Sequence, residues 1–121
     1  MSLNVRNQDG VTILTPKGML LGGKETEENQ AKIVELDAAT NERLLINLGK
    51  TTYMSSMGLA ALYLAHAKWV KRDAVVKLCC VDRKIKQLFI LVGLTLVYGD
   101  DLCDTEEDAL AAFKAAATRP T

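Results

Sequence analysis

Short apolar runs alternate with helix-patterned segments through the second half of this sequence, and that alternation most restricts its fold. The run 44–48 is typical of a short buried strand, whereas 56–71 repeats apolar residues at helical spacing. Strands joined by helical crossovers must lie parallel in one sheet. The alternation continues with strands at 75–80 and 95–98, a helix that begins at Asp82 and ends at Gly93, and a last helix after Thr105.

The first part of the chain adds a hairpin and a polar helix. Two short runs, at 3–5 and 11–14, are separated by Asp9-Gly10, a dipeptide typical of hairpin turns because glycine accepts a positive φ at little cost. A polar helix is expected at about 24–38. Its thin apolar stripe consists of Ile33, Val34 and Leu36.

These elements together predict one α/β domain spanning residues 1–121. We expect a mixed β-sheet of four to five strands, in which an antiparallel hairpin precedes parallel strands and the helices pack mainly on one face. In the helix 56–71, one face should be apolar, and its members are Leu59, Leu62, Tyr63, His66, Trp69 and Val70.

Composition excludes several classes of function. Fifteen basic and fifteen acidic residues leave no net charge, which argues against a nucleic-acid surface as the main partner. No apolar run approaches the ~18 residues of a membrane span. Residues 1–4 lack the basic and apolar blocks of a signal peptide, so we expect a cytoplasmic protein.

The number and spacing of the cysteines also indicate a reducing compartment such as the cytoplasm. Cys79, Cys80 and Cys103 are an odd set without the Cys-x-x-Cys spacing of redox and metal sites. Cys79 and Cys80 lie in an apolar run, so we expect unbridged strand residues that point to opposite sides of the sheet. A thiol-dependent enzyme using Cys80 or Cys103 is the least favoured interpretation.

No arrangement typical of an enzyme is found. His66 is the only histidine, and its place on an apolar helix face favours a packed or half-buried ring over a catalytic one. The acidic group at 106–108 is explained as a helix start with Thr105 as its cap. We therefore expect no catalytic residue, no metal site and no cofactor.

A serine at the start of a helix is the strongest candidate for chemistry. The strand 44–48 leads through a polar turn to Ser55-Ser56, and Gly58 follows within the next helix. Unpaired N–H groups and the positive dipole end of a helix N-terminus favour an anion such as phosphate. Ser56 could equally serve only as the helix N-cap, and both roles remain open.

The same segment resembles the signature of the STAS domain, the fold of anti-sigma factor antagonists. The family pattern Asp-Leu-Ser-x-Val-x-Phe-Met-Asp-Ser-Ser-Gly aligns with residues 47–58. Ser56 takes the place of the serine that a partner kinase phosphorylates, and Gly58 that of the glycine. Asn47 and Ser55 stand where the family has aspartates, and Met57 replaces the second serine.

The resemblance implies a STAS-like fold and a catalytically inactive partner-switching regulator. The unmodified domain would bind an anti-sigma factor, a serine kinase of histidine-kinase-type ATPase fold, and phosphorylation at Ser56 would end the complex. Ser55 is the second choice of acceptor. The expected partner-binding residues are Met54, Ser55, Ser56, Met57 and Gly58.

Neighbouring side chains and alternative functions complete the expectation. Tyr53 is expected in the core and Met54 as a semi-exposed anchor. The basic residues Arg83, Lys84 and Lys86 would lie near Ser56 and could receive an acidic partner. The alternative function is a non-phosphorylated STAS scaffold, stressosome-like or transporter-associated, and a homodimer is left open.

Overall fold

The computed structural model of this chain describes residues 3–117. Met1 and Ser2 lie outside the described residues. They belong to residues 1–4, from which we expect no signal peptide. The strands are β1 (Leu3–Gln8), β2 (Val11–Pro16), β3 (Gly18–Leu20), β4 (Arg43–Asn47), β5 (Thr51–Met54), β6 (Val75–Cys79) and β7 (Leu102–Cys103). The helices are α1 (Lys24–Ala38), α2 (Ser56–Lys71), α3 (Arg83–Val92), α4 (Leu94–Tyr98) and α5 (Glu106–Ala117), with a 3-10 turn at Gly99–Asp101.

Five strands form one mixed sheet in the order β1-β2-β4-β6-β7, as expected. The β1–β2 hairpin is antiparallel and turns at Asp9 and Gly10, whose φ values of 54° and 79° suit a two-residue hairpin turn. The other pairings are parallel. β4 lies at the centre, where coverage on both faces explains its uninterrupted apolar run.

Two layers of helix cover the sheet unequally. The larger core lies between one face and helices α1 to α4, and its fully buried members include Trp69 and Phe89. The opposite face packs against α5 alone, through Ala109 and Phe113. The prediction of helices mainly on one face is therefore confirmed. No helix of residues 3–117 has both the length and the apolar character needed to cross a bilayer.

A second, two-stranded parallel sheet was not predicted. It pairs β3 with β5 and brings Leu20 opposite Met54, at the point where α2 begins. The two strands contain three and four residues, which is too short for an alternating pattern to be recognised. This small sheet positions the start of α2.

The predicted strand at 95–98 is wrong, because this segment is the helix α4. Its side chains favour strands by propensity, but Leu94 and Tyr98 are both buried, four residues apart, on one helical face. The Tyr98 hydroxyl donates to the Leu62 carbonyl at 2.7 Å, which ties α4 to α2. The last parallel strand is instead β7, at Leu102–Cys103.

The expected arrangement of the cysteines is also wrong in part. Strand β6 ends at Cys79, and Cys80 has a φ of 61°, so the two side chains do not alternate across a strand. Both pack against the same α5-facing cluster, with their sulfur atoms 3.5 Å apart. All three cysteines are free thiols.

Some of the other expectations for single residues are confirmed, and others are wrong. His66 is half-buried against the Tyr98 ring at a centroid distance of 4.8 Å, which confirms the packed histidine. Val70 and Val34 were expected on apolar faces but are exposed. α2 begins at Ser56 and ends at Lys71, as predicted. The Thr105 hydroxyl accepts the Asp108 N–H at 3.0 Å, as expected for the cap of α5.

A buried ion pair holds the edge of the sheet. The Lys77 ammonium on β6 lies 2.7 Å from the Asp101 carboxylate, and only 9% of the lysine side chain is exposed. The same ammonium lies 5.3 Å from the centre of the Phe113 ring on α5. This pair therefore joins the 3-10 turn and β7 to the strand beside them.

We expect Asp101→Asn to lower the free energy of unfolding by about 1–3 kcal/mol, because Lys77 would keep a buried charge without its carboxylate. Chemical denaturation measures this loss. Asp100→Asn is the matched control, since the adjacent Asp100 is exposed and should change stability by less than ~0.5 kcal/mol. Equal losses in both variants would contradict a structural role for the Lys77–Asp101 pair.

Candidate functional site

The two serines of the candidate site occupy different positions at the start of α2. Ser55 is the N-cap residue, with extended φ and ψ of −89° and 178°, and Ser56 is the first residue of the helix. The first intrahelical bond runs from the Leu59 N–H to the Ser55 carbonyl at 3.0 Å. The alternative that Ser56 is the N-cap is therefore wrong by one residue.

Ser55 is fixed to the end of β3 rather than to the helix. Its N–H and its hydroxyl both donate to the Leu20 carbonyl, at 2.9 Å and 3.2 Å, and its side chain makes no capping bond. The N–H groups of residues 56–58 therefore precede the first intrahelical bond. Since the first turn of α2 contains no acidic residue, its positive dipole end is not compensated there.

Ser56 presents its hydroxyl to solvent, whereas Ser55 is half-buried. An exposed serine beside uncompensated N–H groups can carry a phosphate whose oxygens the helix N-terminus stabilises. The accessible hydroxyl of the pair belongs to Ser56, which was the first choice from sequence.

Gly58 allows the first turn of α2 to lie directly against β3. A Cβ atom at this position would lie 2.9 Å from the Leu20 carbonyl oxygen and 3.1 Å from the Leu20 Cβ. Both neighbours are rigid parts of a paired strand. Glycine is therefore required here by close approach of the backbones, which is a structural reason for the residue that the family pattern contains.

Exposed apolar side chains are found at the end of β3, on β5 and in the first turn of α2, the elements that meet at the start of this helix. We call Met19, Leu21, Tyr53 and Met57 the apolar rim; each is about half exposed, between 47% and 55%. Met19 and Tyr53 are direct neighbours across the small β3–β5 sheet. Several exposed apolar side chains on neighbouring elements are typical of a protein-binding surface.

The expected roles of Tyr53 and Met54 are exchanged. Met54 is 1% exposed and Tyr53 47%, so Tyr53 is not a core residue and Met54 is not a semi-exposed anchor. The register explains this, because Met54 pairs with the buried Leu20. Of the predicted partner-binding residues, Met54 and Gly58 lie beneath the surface, while Ser56 and Met57 are exposed and Ser55 is partly so.

The turn before β5 is tied to two distant elements. The Asn47 side chain accepts the Gly49 N–H at 2.8 Å and donates to the Glu106 carboxylate at 2.9 Å. Arg6 forms an ion pair with the same carboxylate oxygen. Asn47 thus joins this turn to α5 and to β1, which sequence reasoning did not find because the acidic start of α5 was explained by the helix dipole alone.

These contacts also account for the amide at position 47, where the family pattern has aspartate. An ionised aspartate could accept from Gly49 but could not donate to Glu106, whereas the amide of Asn47 does both. The hydrogen bond from Arg6, followed by that from Asn47, lowers the pKa of Glu106 against the opposing effect of partial burial. Glu106 is therefore held as a carboxylate.

The basic triplet Arg83, Lys84 and Lys86 is exposed at the start of α3, and α3 packs against β5. The expectation that it receives an acidic partner stays a prediction.

Burial raises the pKa of the Cys79 and Cys103 thiols, which disfavours the reactive thiolate. Within residues 3–117, no group of three or more His, Cys, Asp or Glu side chains is arranged to hold a metal ion.

Known proteins resemble this chain over nearly all of its length. A family model described as the STAS domain matches residues 2–109. BtrV of Bordetella bronchiseptica, whose name describes it as a candidate anti-sigma factor antagonist, is 24% identical over 119 residues, which cover 98% of this chain and 100% of BtrV.

Solved structures agree on the fold. An anti-sigma factor antagonist from Mycobacterium paratuberculosis superposes with a TM-score of 0.79 at 23% identity, covering 91% of each chain. The anti-sigma factor antagonist SpoIIAA in its unphosphorylated form gives a TM-score of 0.72 at 13% identity, covering 97% of this chain and 99% of SpoIIAA. The phosphorylated form of the Bacillus cell fate determinant SpoIIAA gives 0.73 at 17% identity, covering 92% and 98%.

We expect Gly58→Ala to lower the free energy of unfolding by about 1–3 kcal/mol, because the added methyl group would overlap the Leu20 backbone. Thermal or urea denaturation measures this change in the free energy of unfolding. Gly23→Ala is the control, since open space surrounds its Cβ position and its φ of −92° is ordinary; its cost should stay below ~1 kcal/mol. A Gly58→Ala variant as stable as the native chain would show that no close approach exists here.

We expect Asn47→Asp to lower the free energy of unfolding by about 1–2 kcal/mol at neutral pH, because the new carboxylate loses the donor to Glu106 and repels it. The loss should shrink as the pH falls and one of the two carboxyl groups becomes protonated. Denaturation of Asn47→Asp, Glu106→Gln and the double variant measures the coupling. In the double variant, the amide introduced at position 106 can donate to the carboxylate introduced at position 47. Most of the loss should therefore be recovered, and strict additivity would contradict the contact.

Proposed function

Because the chain belongs to the STAS domain family, we propose that it acts as an anti-sigma factor antagonist that switches partners through a serine at the start of α2. In this proposal it is a cytoplasmic regulator without catalytic activity of its own. The observation that carries the proposal is the exposed Ser56, which lies at an uncompensated helix N-terminus on the same element as the exposed Met57. The likeness to SpoIIAA, which has been solved in both phosphorylation states, supports it.

The proposed partner is an anti-sigma factor that is a serine kinase of histidine-kinase-type ATPase fold. The unmodified domain would bind this kinase through the apolar rim, whose flexible methionines adapt well to a partner surface. Release of the sigma factor would follow because the kinase cannot hold both proteins. The name of BtrV points to the same class of function.

Phosphorylation of Ser56 would end the complex by local electrostatics. A phosphate adds about −1.5 to −2 charges at neutral pH, next to Met57 of the apolar rim. In the free protein, solvent and the N–H groups of α2 stabilise that charge. In the complex, the partner removes the solvent, and truncated or mismatched charges in an interface cost ~2–5 kcal/mol. The free state is therefore favoured after modification.

Ser56→Asp should weaken binding to the proposed partner kinase by at least ~1.4 kcal/mol, a tenfold change in Kd. Ser56→Ala should bind like the native protein, because Ser55 is the N-cap and the Ser56 hydroxyl caps nothing. Calorimetric titration measures both, and melting curves should show that both variants fold. Equal affinity of the two variants would contradict a switch at Ser56.

The modified residue is identified by incubating the protein with kinase and ATP and mapping phosphoserine by mass spectrometry. Loss of the modification in Ser56→Ala, but not in Ser55→Ala, is the expected result. The reverse pattern would move the acceptor to the half-buried Ser55. Binding to the kinase without any phosphoserine would favour the non-phosphorylated scaffold instead.

A further inference from the structure

A cavity of about 260 Å³ is lined by no residue of α2. Two of its lining residues, Thr15 and Asn47, follow by two positions the residues Ile13 and Leu45, which face α5, so it lies on that side of the large sheet. It opens at the carboxyl ends of the parallel strands β2 and β4. In open α/β sheets, ligands bind outside the carboxyl ends of the strands. The side chains that line it are Asn4, Arg6, Thr15, Lys17, Asn47 and Lys50.

The lining has a pronounced excess of positive charge. Arg6, Lys17 and Lys50 contribute three cations, and the chain as a whole is neutral. Within residues 3–117, the carboxylate seen in contact with the lining is Glu106, which pairs with Arg6 and accepts from Asn47. Two positive charges remain uncompensated, both on exposed lysines.

Strand pairing and backbone hydrogen bonding hold these residues close together. Asn4 and Thr15 are direct partners across the β1–β2 hairpin, and Thr15 is 8% exposed. Lys17 follows the end of β2, and its neighbour Gly18 donates its N–H to the Lys50 carbonyl at 2.9 Å. The two lysines are thus fixed at the start of the paired strands β3 and β5.

We propose that this cavity binds a compact phosphate-class oxyanion, of which pyrophosphate is the test case. The two lysines provide the uncompensated charge, and the guanidinium of Arg6, the threonine hydroxyl and two amides provide directional hydrogen-bond donors. None of the six lining residues is aliphatic or aromatic, so the cavity contains no aromatic ring on which a nucleobase could stack. The site is independent of the phosphorylation proposed at Ser56.

Calorimetric titration with pyrophosphate at low ionic strength tests the site. We expect saturable binding with a Kd below ~1 mM, and a Kd at least ~10-fold larger for the double variant Lys17→Gln/Lys50→Gln. The control Lys84→Gln/Lys86→Gln removes the same charge from α3, outside the cavity, and should bind like the native chain. An equal loss in the control, or no saturation in the native protein, overturns the proposal.

Amide chemical shifts locate the ligand and distinguish other sources of binding. Pyrophosphate should shift the signals of Asn4, Thr15 and Asn47. Shifts confined to residues 55–58 would place the anion at the start of α2 and overturn the proposal. ATP binding at least ~10-fold more tightly than inorganic triphosphate would also overturn the proposal, because such a preference requires contacts to the base. Binding of a glutamate-rich peptide without binding of pyrophosphate would instead identify a protein-docking surface.

Discussion

The Leu20 carbonyl is the group on which the geometry of the candidate site depends. It accepts both the N–H and the hydroxyl of Ser55, and it lies where a side chain at Gly58 would be. These contacts fix the first turn of α2 against the end of β3. Because Ser55 is held in this way, the following residue is turned outward, and Ser56 becomes the exposed hydroxyl at the helix start.

Polar contacts also hold the turn between β4 and β5, at the end of the small sheet opposite to the start of α2. Asn47 joins this turn to Glu106 on α5, and Arg6 brings the edge strand β1 to the same carboxylate. The Thr51 hydroxyl donates to the Pro16 carbonyl at 3.1 Å, which ties β5 to the end of β2. The segment between β4 and α2 is therefore anchored at both ends, so a charge added at Ser56 acts on a surface of fixed shape.

Buried apolar packing and surface chemistry occupy separate parts of this fold. The apolar rim and Ser56 belong to the small sheet and the start of α2, whereas the basic cavity lies on the α5 side of the large sheet. The cysteines belong to the core beneath α5, where burial raises the pKa of the Cys79 thiol. The proposed modification of Ser56 would thus add charge to an exposed residue without altering the packing that holds the domain together.

The sequence by itself determined the order of most strands and helices, the mixed sheet, the two-residue hairpin turn and the start of α2 at Ser56. Those features follow from local signals, namely apolar periodicity, Asp9-Gly10 and the residues that begin or end helices. The segment 95–98 shows the limit of such signals: its residues favour a strand, and only the burial of Leu94 and Tyr98 against α2 makes it a helix.

Tertiary structure alone decided which side of the small sheet faces the core and which groups meet around the site. Tyr53 is exposed and Met54 buried because of the register between β3 and β5, two strands too short to show a period. Asn47 meets Glu106 across 59 positions of sequence, and the cavity is lined by residues from β1, β2, β4 and the two turns that follow β2 and β4. Contacts between residues far apart in the chain depend on how the elements pack, and no local pattern encodes them.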